Sequence, residues 1–230
     1  SVELNDFQWE YPTHEYAIEW NPMLWYNGYD GLKLGVQVSG DYWSVYHRLD
    51  LKIWINSGFG QQLDAITTED RFQFNRFNYA FSYSDPLREM GRGSSYTWKS
   101  KWMEGLFANE FYFTKQFDNN KTAVNFGVGG LYRPFDTDLN YLHYPEFWNA
   151  DRWNNFTKFT LRHTYRYQRG SEGTIRGEVR SPFLGSDYNY SYVNLEVVND
   201  NRLAFLNVRT RVFGQFGLGD DWAPESQLFA

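Results

Sequence analysis

Gly31-Leu32-Lys33-Leu34-Gly35-Val36-Gln37-Val38-Ser39-Gly40 is followed shortly by Leu49-Asp50-Leu51-Lys52-Ile53-Trp54-Ile55-Asn56. In both stretches the branched aliphatic residues recur at every second position. Successive side chains of a strand point to opposite faces, so this period places Leu32, Leu34, Val36 and Val38 on one face and Lys33, Gly35, Gln37 and Ser39 on the other. Leu49, Leu51, Ile53 and Ile55 likewise oppose Asp50, Lys52, Trp54 and Asn56. The two stretches read as antiparallel strands paired across Asp41 to His47.

The same period extends in both directions. Upstream, Ile18, Trp20 and Leu24 alternate with Ala17, Glu19 and Asn21, and Asn27-Gly28-Tyr29-Asp30 supplies a turn. Downstream, Phe77, Tyr79, Phe81 and Tyr83 oppose Asn78, Ala80 and Ser82, while Phe72 and Phe74 fall in the other phase and predict a bulge near Asn75. One long pattern covers Ser95 to Phe117, closed by an Asp118-Asn119-Asn120-Lys121 turn. Val124, Phe126, Val128 and Tyr132 follow. After an aperiodic stretch from about Pro134 to Asn155, Phe159, Leu161, Tyr165 and Tyr167 alternate with Lys158, Thr160, Arg162, Thr164 and Arg166. Ile175, Val179 and Phe183 oppose Arg176, Glu178 and Arg180; Val193, Leu195 and Val197 oppose Asn194 and Glu196; Asn199-Asp200-Asn201 is expected to turn the chain; Leu206, Val208 and Val212 oppose Asn207, Arg209 and Arg211. The reading is all-β, with about ten strands and a range of 8–12, and neither an ordinary helix nor an internal repeat.

Composition decides which face meets what. Aromatic residues make up 21% of the 230 residues, as 10 Trp, 18 Tyr and 20 Phe, yet the mean hydropathy is low. A soluble core rarely takes so many rings, whereas a membrane barrel carries them outward in two interfacial girdles. No run approaches the roughly 18 apolar residues of a membrane helix, so a chain of this kind meets lipid only as a closed sheet. The expected fold is therefore a closed antiparallel transmembrane β-barrel over 15–219, with a lead-in at 1–14 and a tail at 220–230. A net charge of -6 argues against nucleic acid as a partner. The absence of cysteine removes disulfides and thiolate metal sites. The start Ser1-Val2-Glu3-Leu4 has neither an initiator Met nor a signal-peptide pattern and reads as a mature or excised fragment.

In a lipid-facing barrel the polar face becomes the lumen. That face carries Lys33, Lys52, Lys158, Arg162, Arg166, Arg176, Arg180, Arg209 and Arg211, with Asp50, Glu178 and Glu196 as partners, while acids such as Glu69, Asp70, Asp85, Asp118, Asp136, Asp138, Asp151, Asp200, Asp220 and Asp221 gather in the connections. About ten strands enclose little more than their own side chains, so the candidate site is a lumen charge network of Arg162, Arg166, Arg176, Glu178, Arg180, Glu196, Arg209 and Arg211, with Asp50 or Glu19 added from the opposite wall. The competing reading of the same face is a basic path for anionic solutes.

Chemistry-bearing motifs are sparse. His14, His47, His143 and His163 have no zinc-ligand spacing, and neither a Gly-x-Ser-x-Gly elbow nor a phosphate-cradling glycine loop is present. Gly127-Val128-Gly129-Gly130 sits in a strand pattern and reads as a barrel bend or close strand packing. Asp138 with His143 could be drawn as an acid–base pair, but loop acids are usually only solvated. Tyr141, Tyr144, Phe147, Trp148 and Trp153 form an aromatic cluster that reads as interfacial anchoring or loop packing, or as a platform for a ligand or partner. No metal, cofactor or catalytic residue is assigned.

Trp25-Tyr26-Asn27-Gly28-Tyr29-Asp30-Gly31-Leu32-Lys33-Leu34-Gly35, then His47-Arg48-Leu49-Asp50-Leu51 and Trp54-Ile55-Asn56-Ser57-Gly58, and the ending Asp221-Trp222-Ala223-Pro224-Glu225-Ser226, resemble the barrel region that follows the catalytic part of Bacteroidota gluzincin metallopeptidases of the membrane alanyl aminopeptidase type. More loosely, the Gly-Leu-Lys-Leu-Gly hairpin resembles outer-membrane surface-antigen barrels. The family's His-Glu-x-x-His zinc motif is missing, so no catalytic residue carries over, and the resemblance implies an anchor whose protease lies elsewhere. The functional expectation is an outer-membrane anchor or scaffold for a catalytic or binding domain or an envelope complex, in contact with outer-membrane lipid, lipopolysaccharide and other envelope proteins. A soluble ligand-binding β-barrel, a rim protease and a solute channel are the alternatives. With about ten strands, the long connections 85–95 and 134–155 fall on the same side as both termini.

Overall fold

A computed structural model describes residues 15–27, 31–60, 76–103, 105–134, 150–168, 171–203 and 206–226. Among these residues, eleven strands form one sheet in sequence order. They are β1 (Ala17–Asn27), β2 (Gly31–Tyr42), β3 (Tyr46–Asn56), β4 (Phe77–Pro86), β5 (Ser94–Met103), β6 (Leu106–Phe117), β7 (Thr122–Tyr132), β8 (Trp153–Gln168), β9 (Ser171–Pro182), β10 (Asn189–Leu203) and β11 (Leu206–Asp221), with short 3-10 turns at Arg88–Met90 and Pro224–Ser226. The expected bulge near Asn75 lies outside the described residues.

Three details depart from the sequence reading. The long pattern from Ser95 to Phe117 is two strands, broken beside Gly105, whose φ of 70° is cheap for glycine and costly for other residues. Asn199-Asp200-Asn201 does not turn the chain; β10 runs on to Leu203 and stays paired with β11 as far as Leu206. The polar triplet is recruited across the sheet instead: Tyr165 Oη donates to Asn199 at 2.7 Å, Tyr167 Oη donates to Asn201, and Asp200 lies 3.6 Å from Arg209. Finally, the count is eleven rather than about ten. The connections 87–93 and 133–152 therefore leave opposite edges, and β1 enters at one edge while β11 leaves at the other.

That odd count sorts the connections. Among the described connections, 43–45, 87–93 and 118–121 lie on the edge where β1 begins, and 183–188 lies on the other. β3 and β7, which precede the two widest gaps between strands, both end at the second edge. The first edge turns tightly for local reasons. Asp118, Asn119 and Asn120 all take positive φ, which Asn and Asp tolerate best among non-glycine residues, and Lys121 N–H closes onto Asp118 O at 3.2 Å. The 87–93 turn is tied down by Lys115, whose Nζ donates to Met90 O, Arg92 O and Ser94 Oγ at 2.9, 3.2 and 2.8 Å.

The chain divides into two compact units, one of residues 1–86, 97–110 and 131–152 and one of 87–96, 111–130 and 153–230. In the first, register locks the phases: Leu34 faces Ile55 and Lys33 faces Asn56 across β2 and β3, and Trp54 faces Asn78 across β3 and β4. Lys33 is only 1% exposed, with its Nζ 4.4 Å from the Trp25 ring centroid, while its neighbour Leu34 is 52% exposed. Trp54, Asn56, Asn78, Thr97 and Ala108 are buried in the phase of Lys33; Leu24, Ile55, Phe77 and Trp98 are exposed in that of Leu34.

The second unit repeats the arrangement. Asn154, Phe156, Thr160, Arg180, Tyr188, Tyr190 and Tyr192 are buried on the polar face, and Phe126, Phe159, Leu161, Ile175, Val179, Val193, Leu195, Val212 and Phe216 are exposed on the apolar one. A sheet of a soluble protein does the reverse, because burying the apolar face is what stabilises it.

Candidate functional site

The side chains expected to form a charge network all lie in the second unit and, through the register, on one face. Across β8, β9 and β10 the rows read Lys158–Arg180–Tyr192, Thr160–Glu178–Asn194, Arg162–Arg176–Glu196 and Arg166–Glu172–Asp200. Asp200 then faces Arg209 on β11. Placing Arg162 directly opposite Arg176 juxtaposes like charges, which is unfavourable unless carboxylates intervene. They do intervene. Arg176 Nη2 donates to Glu178 Oε2 at 2.9 Å, and Arg211 Nε donates to Glu196 Oε1 at 2.6 Å.

Glu178 is the hub, only 11% exposed at its side chain, accepting from Arg176 on one oxygen and from Tyr192 Oη at 2.9 Å on the other, with Thr160 Oγ1 at 3.5 Å. The outlying pairs Arg166–Glu172 and Arg209–Asp200 are 3.8 and 3.6 Å apart and largely exposed, and such pairs contribute little. Among the described residues no ion pair is made by Arg162. Asp50, expected as a partner from another wall, instead accepts from Gln37 Nε2 at 2.9 Å and lies 3.6 Å from Lys52 within the first unit. Glu19 is exposed on β1.

Arg180 behaves differently from the other arginines. It is 5% exposed, and its guanidinium is held by neutral groups: Nη2 donates to Asn154 Oδ1 at 2.9 Å and Nη1 donates to Ser226 Oγ. The rings of Phe156, Tyr190 and Tyr192 surround it at 4.1, 5.1 and 5.9 Å. Weak hydration and a flat, charge-spread face let guanidinium accept this ring-lined, hydrogen-bonded setting better than an ammonium would.

Ser226 reaches Arg180 because the chain beyond β11 folds back over the polar face. Trp222 stacks on Tyr190 and Tyr192 with centroids 5.0 and 6.4 Å away, Ala223 is fully buried, Tyr190 Oη is 2.7 Å from Ser226 Oγ, and Gln215 Nε2 donates to Ser226 O at 3.1 Å. Gly217 makes room, since a Cβ there would overlap the Trp222 ring. Sequence periodicity stops at the strand end and gives no notice of this latch; the one trace was the Asp221–Ser226 motif, noted only for its resemblance. Strand alternation does encode the buried tyrosines, as Tyr188, Tyr190 and Tyr192.

A second feature, also missed, lies in the first unit. A cavity of about 260 Å³ opens between β3, β4, β5 and β6, lined by the acids Asp50 and Glu110, the lysines Lys52, Lys99 and Lys101, and the short side chains Ala80 and Ala108 among others. Lys99 and Lys101 alternate with Trp98, Ser100 and Trp102, a readable signal hidden by the aromatic weight of β5.

Of the aromatic cluster, Trp153 starts β8 and is partly exposed; Tyr141, Tyr144, Phe147 and Trp148 lie outside the described residues, as do Asp138, His143 and His14. His47 sits 2.8 Å from Tyr83 Oη and 3.5 Å from Asp85, and His163 2.9 Å from Thr122 Oγ1. Among the described residues no three His, Asp or Glu side chains are grouped to hold a metal ion. Gly127 lies close under Tyr112 and Gly130 beside Asn155, so this glycine run does serve close strand packing. Compared with known protein families, characterised proteins and solved structures, the chain matches none at a significant level.

Proposed function

We propose that this chain is an outer-membrane β-barrel that acts as an anchor or scaffold for a catalytic or binding domain or an envelope complex, its lumen filled mainly by its own side chains. The observation that carries the reading is the inverted polarity of the sheet: Lys33, Asn56, Asn78 and Arg180 are buried while Leu34, Ile55, Leu161 and Val212 are exposed in the opposite phase. Exposed apolar rows on strand after strand far exceed what a soluble monomer leaves to water, and a bilayer is the solvent that suits them. Strands of 10 to 16 residues are long enough to cross it when tilted.

Closure of the sheet belongs to this proposal. β1 and β11 run in the same direction, so the sheet closes either through a parallel seam or through one more strand. Outer-membrane barrels put short turns in the periplasm and long loops outside, so the edge bearing 43–45 and 118–121 faces the periplasm and the edge where β3 and β7 end faces out. Kinship with the metallopeptidase-associated barrels would make the chain an anchor with its enzyme elsewhere. The test is heat-modifiable mobility on cold SDS gels together with extraction from membranes by detergent alone. A chain that stays in aqueous solution without detergent and shows one mobility, boiled or not, overturns the proposal.

A further inference from the structure

We propose that the polar face of the second unit holds a docking site for a partner protein's peptide segment: an aromatic residue, a small residue, a proline and, two residues on, a serine. The chain's own Trp222-Ala223-Pro224-Glu225-Ser226 sits in that site as a tethered self-ligand, and this occupant fixes the chemistry. The inference goes beyond anchoring and stands on the site itself; the barrel reading adds only that the site would lie at the outward mouth, beside the edge where β11 ends.

The receiving side is built without the tail. Arg180 Nη2 donates to Asn154 Oδ1 at 2.9 Å, Asn154 Nδ2 donates to Tyr190 Oη at 3.2 Å, and Tyr192 Oη donates to Glu178 Oε1 at 2.9 Å. Tyr190 and Tyr192 are stacked with centroids 6.3 Å apart, and the Phe156 ring lies 4.1 Å from the guanidinium. All of these groups belong to β8, β9 and β10, so rings and donors stand in place before the segment arrives. A site ordered in advance gives up little conformational freedom on binding.

The tail meets it as a ligand meets a site. β11 ends at Asp221, and the next residues leave the ladder and close their own turn, with Ser226 N–H donating to Ala223 O at 3.0 Å. Each position then has a use. The Trp222 ring extends the stack of Tyr190 and Tyr192 and fills the place that Gly217 leaves open. Ala223 is fully buried, which excludes a larger side chain, and Pro224 is buried next to it. The Ser226 hydroxyl meets Arg180 Nη1 and Tyr190 Oη together. Ring contacts and side-chain hydrogen bonds of this kind can be supplied equally by a segment of another chain, and a seated aromatic side chain is the usual anchor of such an interface.

The experiment measures binding of a fluorescein-labelled Trp-Ala-Pro-Glu-Ser peptide to the full chain in detergent micelles by fluorescence anisotropy. In the native chain the tethered tail competes at an effective concentration of about a millimolar, so the peptide should bind poorly. Trp222→Ala undocks the tail and leaves the site intact, and should bind the peptide at least about tenfold more tightly than the native chain. A peptide with Ala for Trp should not bind, and one with Ala for Ser should bind about tenfold more weakly, through loss of one hydrogen bond to a charged donor. Gly217→Ala also dislodges the tail, but its methyl takes the place of the ring, so it should bind the peptide no better than the native chain. Urea midpoints report whether each variant folds. If Trp222→Ala does not, Ser226→Ala weakens the tail by its hydroxyl alone and should show the gain over the native chain instead. No gain in a folded tail variant, equal binding of the peptide lacking Trp, or the same gain in Gly217→Ala overturns the proposal. If the chain proves soluble and yet binds, the anchor reading fails and the site stands; a detergent-dependent barrel that binds no peptide gives the converse.

Discussion

Replacing Glu178 with Ala tests whether the polar face is an interior. In the native chain its carboxylate is 11% exposed and accepts from Arg176 Nη2 and from Tyr192 Oη, each at 2.9 Å. The two donors respond differently to its loss. The Arg176 side chain is 49% exposed and regains water, so that contact returns little cost. Tyr192 is buried, and its hydroxyl would be left without its charged acceptor, a loss of about 1.5–3 kcal/mol. Removing the carboxylate also leaves Arg162 and Arg176 opposed with less counter-charge, while relief of the carboxylate's own desolvation offsets part of the total. The net expectation is a destabilisation of about 2–3 kcal/mol. Glu172→Ala, which removes a half-exposed partner 3.8 Å from Arg166, should cost under about 0.5 kcal/mol. Urea unfolding in phospholipid vesicles, followed by tryptophan fluorescence, measures both, and Glu178→Gln should recover part of the loss by offering Tyr192 a neutral acceptor. Equal costs for Glu178→Ala and Glu172→Ala would refute the argument, because they would mean the face is open to water along its length.

Other perturbations probe separate parts of the structure. Ile53→Arg, on the exposed apolar face, should cost about 2–4 kcal/mol in vesicles if the residue sits near the bilayer midplane, and a cost under about 0.5 kcal/mol would remove lipid from the picture. Arg180→Lys should destabilise by about 2 kcal/mol, since one ammonium cannot bridge Asn154 and Ser226 while lying against three rings; an unchanged urea midpoint would speak against that reading. Gly217→Ala should dislodge Trp222 and expose the segment after β11 to limited proteolysis, with cleavage no faster than in the native chain as the contrary outcome. The purified chain should hydrolyse no peptide substrate with or without added zinc, and zinc-dependent cleavage by a contaminant-free sample would reverse the assignment.

What the sequence determined by itself was whatever a period of two can encode. Lys33 against Leu34, Trp54 against Ile55 and Arg176 against Ile175 were assigned to opposite faces from alternation alone, and the register places them there, because strand geometry leaves a side chain only two directions. Local turn chemistry was legible for the same reason at Asp118-Asn119-Asn120, where the residues themselves tolerate positive φ. It misled at Asn199-Asp200-Asn201, which has equally good turn residues, because partners on β8 and β11 offer those side chains better contacts than a turn would. Tertiary structure alone decided which carboxylate meets which cation: Asp50 lies beside Gln37 and Lys52, and Glu178 beside Arg176, since hydrogen bonds act over a few ångströms and register sets who stands that close. It alone decided the latch as well. Trp222 and Ser226 lie beyond the last strand, where no periodicity applies, and they find Tyr190 and Arg180 only once β9, β10 and β11 are side by side. The cavity beside Lys99 and Lys101 has the same origin, for a void belongs to no single strand and exists only where the short side chains of β4 and β6 come to flank one place.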